Sequence, residues 1–83
     1  MNSNPSKATV LACIEKALDL PIGSLGETSN STEFNNWDSL GQVDIIMALD
    51  ILFGGKVNMI PEMADANSVP DILDILKRYL LLF

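Results

Sequence analysis

Apolar residues recur along this chain in helical steps, and the steps break where turn-forming residues cluster. Leu11, Ile14 and Leu18 stand at i, i+3 and i+7 with Val10 and Ala17 beside them, which predicts a first helix with one buried stripe. Asn4 or Ser6 is its expected cap, Pro5 is tolerated in the first turn, and Pro21 and Gly23 are expected to end it. From Leu20 to Asp38 the chain turns to Pro, Ser, Gly and Asn, interrupted by Ile22, Leu25, Phe34 and Trp37. So long a connection needs to be held to the core. Those four apolar residues are its expected pins.

A second helix is predicted from Asp38 or Ser39, both good N-cap types, to about Phe53, where Gly54-Gly55 supplies the stop. At about 100° per residue it carries two apolar stripes. Ile45, Leu49, Leu52 and Phe53 should face the core. Leu40, Val43 and Met47 lie on the other side with Asp44 and Ile51, edged by Asp50. A small bundle cannot easily bury both stripes, so the second is surplus to the core and becomes the candidate partner face.

Pro61-Glu62 opens a short third helix reaching about Ala66. Ser68-Val69-Pro70-Asp71 reads as a capping box for a last helix whose apolar positions are Ile72, Leu73, Ile75, Leu76, Tyr79, Leu80 and Leu82. The ending LLLF is expected to complete the core. With no alternating strand pattern, the predicted architecture is all-α: a small four-helix bundle of three main helices and one short one, with a long loop between helices 1 and 2. Its 83 residues make one domain, 1–83.

Charge sharpens the choice of face. Of 11 acids, six (Asp19, Glu27, Glu33, Asp38, Asp44, Asp50) lie in residues 17–55, which contain no Lys or Arg; the other five balance the five cations, so this segment carries the whole net charge of −6. Such a field steers basic partners and argues against nucleic acid, which demands a cationic surface. No apolar run is long enough to span a bilayer and MNSNPSK lacks the core of a signal peptide, so a cytoplasmic location is expected. The single Cys13 falls in the apolar pattern of helix 1 and reads as a reduced core residue.

Resident catalysis is poorly provided for. Ser39 stands at a helix start among carboxylates, yet the chain has no histidine and no lysine near it to act as base. Without His or a second Cys a zinc site is excluded, and DANSVPDILD has Val69 and Pro70 where a calcium loop needs a ligand and a glycine. No catalytic and no metal-ligating residue is therefore expected. Any chemistry at Ser39 needs a base from another protein.

NWDSLGQVDIIMALD, in a chain of this length with an acidic helix after the serine and a capped last helix behind it, resembles the attachment site of the acyl and peptidyl carrier proteins. The resemblance runs from about Ser6 to Leu80. It implies a non-catalytic carrier with 4′-phosphopantetheine on Ser39, installed from coenzyme A by a phosphopantetheinyl transferase, with Asp38 near the magnesium-bound coenzyme during transfer. The arm would hold an acyl or related group as a thioester. Leu40, Val43 and Met47, with the charges Asp44 and Asp50, would meet basic patches on acyl-activating, acyltransferase or synthase enzymes, the carrier itself being a monomer. Ile51 and Leu52 stand where carriers of fatty acid biosynthesis have acids, and Trp37 and Gly41 look more like specialised stand-alone carriers, pointing to a dedicated lipid, polyketide or surface-polymer pathway. The alternatives are an aminoacyl or peptidyl carrier and an unmodified helical adaptor.

Overall fold

The computed structural model of the chain describes residues 5–79. Three α-helices, α1 (Lys7–Ala17), α2 (Ser39–Leu52) and α3 (Val69–Arg78), alternate with two 3₁₀ turns at Ser31–Glu33 and Pro61–Asp65. Among the described residues there is no strand, only an isolated antiparallel bridge between Asn30 and Ser68. The fold is all-α. Leu80, Leu82 and the LLLF ending lie outside the described residues, as does Asn4.

Each helix begins on a side-chain cap. Ser6 accepts the Thr9 N–H at 3.3 Å, Asp38 the Gly41 N–H at 2.9 Å, and Ser68 the Asp71 N–H at 3.2 Å. The C-termini of α1 and α2 close in the same way, with a left-handed residue after the last turn. For α2 this is Gly54 at φ 70°, and the Gly55 N–H returns to the Asp50 carbonyl. For α1 it is Asp19 at φ 58°, with the Leu20 N–H bonded to the Glu15 carbonyl, so α1 ends before Pro21 and Gly23 are reached.

A carboxylate-bearing residue in this conformation carries a steric cost that glycine avoids. Asp19→Gly is therefore expected to stabilise the fold by about 0.5 kcal/mol, read as a higher urea midpoint at unchanged slope. A lower midpoint would mean that the Asp19 side chain has a structural role of its own.

Val10, Ile14 and Leu18 of α1, Ile45, Leu49 and Phe53 of α2, and Val69, Ile72, Leu73, Ile75 and Leu76 of α3 form one core with Val57, Ile60, Met63 and Ala66. Each aliphatic side chain fully withdrawn from water contributes roughly 1.5–3 kcal/mol before entropy is counted. Leu11, Cys13, Ala17 and Leu52 pack on it half-buried. Burial pushes the Cys13 thiol above its ordinary range, partly offset by Lys16. The expected third helix is the five-residue 3₁₀ turn: Pro61 fixes its start, and its bonds run i to i+3, Ala66 N–H to the Met63 carbonyl among them.

Residues 18–38 separate α1 from α2. Leu25 and Trp37 are buried and Phe34 is half-buried, but Ile22 is 96% exposed and pins nothing. Polar side chains take its place. Buried Glu15 accepts the Leu25 N–H at 2.9 Å, Asn36 donates to the Leu18 carbonyl at 2.8 Å, and the backbones of Ser29 and Ser31 bond across to Val69 and Asn67, both at 2.8 Å. This last pairing ties the loop to the start of α3.

At the other end of α3 the Tyr79 hydroxyl donates to the Glu62 carboxylate at 2.9 and 3.0 Å. Glu62 is held below the usual carboxylate range, first by its own backbone N–H and then by Tyr79; Tyr79 is raised, first by its bond to Glu62. The raised phenol contributes stability below its unfolded pKa that is lost as pH climbs through the folded value. The lowered carboxyl contributes above its unfolded pKa and loses that contribution as pH falls through the folded value. Tyr79 is the only tyrosine in the chain, so phenolate absorbance reports it alone. The titration midpoint should lie above that of a free tyrosine and move back toward it in Glu62→Gln.

Candidate functional site

Asp38 is the N-cap of α2 and Ser39 its first helical residue, which separates two roles that the sequence left shared. The Asp38 carboxylate is engaged on the Gly41 N–H. Ser39 is exposed on the first turn. Its own N–H and that of Leu40 have no intrahelical acceptor, because an α-helix offers none to its first turn. The dipole adds a partial positive charge there. The site thus presents an exposed serine beside backbone donors suited to an anion.

The start of α2 is fixed from three sides. Trp37, buried in the core, donates its indole N–H to Gln42 Oε1 at 2.7 Å, and Gln42 Nε2 donates to the Met63 carbonyl at 2.9 Å. Gln42 therefore ties the segment before Ser39 to the 3₁₀ turn beyond it. Gly41 is buried against the end of α1: a Cβ there would run into the Asn36 carbonyl oxygen and come within 2.9 Å of Leu18 Cδ2. No local pattern marks Gln42 for this role, since its partners lie 5 and 21 residues away. A shallow depression of about 280 Å³ opens beside Ser39, with Trp37, Asp38, Gln42 and Asp65 in its walls.

Leu40, Val43, Met47 and Ile51 are 76%, 51%, 59% and 82% exposed, and Asp44 is exposed with them. These residues share one face of α2, the one turned from Ile45 and Leu49. Asp50 is placed differently. It is half-buried, and its Oδ1 accepts the Val57 and Asn58 N–H groups at 3.0 and 2.9 Å. That carboxylate braces the turn after α2, a structural task that its position at the edge of the outer apolar stripe does not reveal.

Together these features define an all-α unit with an exposed serine at the head of a helix whose outer face is apolar and acidic. No family model, no curated protein and no solved structure matches the chain. Among the described residues no helix is long and apolar enough to cross a membrane, and no three metal-ligating side chains converge.

Proposed function

We propose that this protein is a carrier of the acyl carrier type, bearing 4′-phosphopantetheine on Ser39 and delivering a thioester-linked acyl or related group to partner enzymes. The observation that carries the reading is the exposed Ser39 in the first turn of α2, capped by Asp38 and continued by the exposed stripe Leu40, Val43 and Met47. In this reading residues 18–38 are the long first loop of a four-helix bundle, and the 3₁₀ turn Pro61–Asp65 takes the place of its short helix.

The residues present fit the group. Ser39 is exposed, and the first-turn N–H groups and dipole of α2 favour a phosphodiester there. The missing base is consistent with modification by a separate transferase: as the Ser39 Oγ–P bond forms, the phosphoanhydride bond of coenzyme A breaks, adenosine 3′,5′-bisphosphate leaves and the hydroxyl proton passes to a base of that enzyme. The arm supplies a terminal thiol for the cargo. Asp38 holds the helix start while its charge lies next to the reacting hydroxyl. Asp44 and the apolar stripe address partners with basic patches, an attraction that speeds encounter and weakens with salt. A cytoplasmic monomer serving a specialised lipid, polyketide or surface-polymer pathway fits this picture, with an aminoacyl cargo as the nearest variant.

Incubation with coenzyme A, magnesium and a broad-specificity phosphopantetheinyl transferase is expected to add the mass of one phosphopantetheinyl group. A folded chain that gains nothing from several transferases would be an unmodified adaptor that uses the same face.

A further inference from the structure

Two depressions share Ala17 on the seam where α1 and α2 pack together. The one nearer Ser39, about 340 Å³, is lined by Asp19, Asp38 and Asp44 with Leu40 and two asparagines, and among the described residues no cation lines it. The one farther along α2, about 380 Å³, is mostly apolar: Cys13, Ala17, Ala48, Ile51 and Leu52 line it together with Lys16. Small residues face each other across it at positions 17 and 48. Its Ile51 wall is exposed and continues into the exposed stripe of Met47 and Leu40.

We propose that this seam is a docking groove for an amphipathic helix of a partner protein, one that carries a bulky apolar side chain and, about one helical turn away, a Lys or Arg. The apolar side chain fills the depression between Ala17 and Ala48 and covers Ile51. The cation then reaches the carboxylates of Asp44 and Asp19. Asp44 precedes Ala48 by four residues, about 6 Å along α2 at 1.5 Å per residue, which sets the spacing required of the partner. Charge selects the occupant: three carboxylates without a cation at one end of the groove disfavour an acidic segment and a second copy of this acidic chain. The groove adds α1 to the α2 face named above. The proposal rests on the carrier reading for what the partner does with the chain, and on the groove alone for how it binds.

The test is titration of the full isotope-labelled chain, followed by NMR, with synthetic helical peptides holding Phe and Arg four residues apart in either order. One order is expected to shift the amides of Ala17, Asp44, Ala48 and Ile51. Replacing the peptide Arg by Glu, or the protein residues in Ile51→Glu or Asp44→Lys, is expected to weaken binding at least tenfold. Both protein residues are exposed, so their variants should stay folded. Shifts confined to other faces, equal binding of the Arg and Glu peptides, or no shifts with either order would overturn the proposal. Endpoint phosphopantetheinylation of the same samples keeps the two readings apart: an unmodified native chain that still binds the Arg peptide defeats the carrier reading and leaves the groove standing, whereas a modified chain that ignores the peptides does the reverse.

Discussion

Ser39→Ala is expected to abolish loading by phosphopantetheinyl transferases completely while leaving the fold as it was. The structure makes this a clean substitution, because Asp38 and not Ser39 caps α2 and Ser39 is exposed at the first helical position. Alanine is the better helix former there, so the stability change should stay within about 0.5 kcal/mol. Asp38→Ala offers the contrast. Loss of the bond to the Gly41 N–H should cost about 1 kcal/mol of stability. Mass spectrometry and urea unfolding on both variants separate attachment from capping. A Ser39→Ala chain that still gains the group would move the attachment point elsewhere.

Gly41→Ala is expected to destabilise the fold by about 1–3 kcal/mol, the range of an overpacked core. The sign is informative. At an unobstructed helical position the same change should stabilise by roughly 0.5–1 kcal/mol, since glycine is the poorer helix former. Here the added methyl meets the Asn36 carbonyl, and Asn36 also holds the Leu18 carbonyl through its side-chain amide. The end of α1, the turn before Trp37 and the start of α2 therefore have to move together. For a domain whose whole stability is on the order of 5–15 kcal/mol the loss is large. The expected reading is a lower urea midpoint and slower loading of Ser39 at temperatures where the variant remains folded. A raised midpoint would show that the contact yields without cost.

Much of the fold can be read from local pattern because it rests on local rules. Ser6 and Ser68 cap, Gly54-Gly55 stops α2, and Ile45 and Leu49 go inward at helical spacing while Leu40, Val43 and Met47 stay outside. The loop is where pattern fails. Ile22 is apolar and yet exposed, while the buried Glu15 carboxylate and the Asn36 amide hold the chain through bonds to backbone 10 and 18 residues away. Such bonds have no period to reveal them. The same holds for Asp50, a charged edge residue by pattern and a brace for Val57 and Asn58 in the fold. The expected short third helix is a 3₁₀ turn for a local reason: a five-residue segment between Ile60 and Ala66 has room for i to i+3 bonds, not for sustained α-helical turns. The serine and its helix were legible; the Gln42 and Gly41 contacts that fix their position were not.

The measurement that bears most directly on the account is fragment-ion mapping of the chain after exposure to coenzyme A, magnesium and a phosphopantetheinyl transferase. One phosphopantetheinyl group is predicted, carried by fragments that contain Ser39 and absent from those that contain Ser24, Ser29, Ser31 or Ser68 without Ser39. Modification at one of those serines, or a folded chain left unmodified by several transferases, would contradict it.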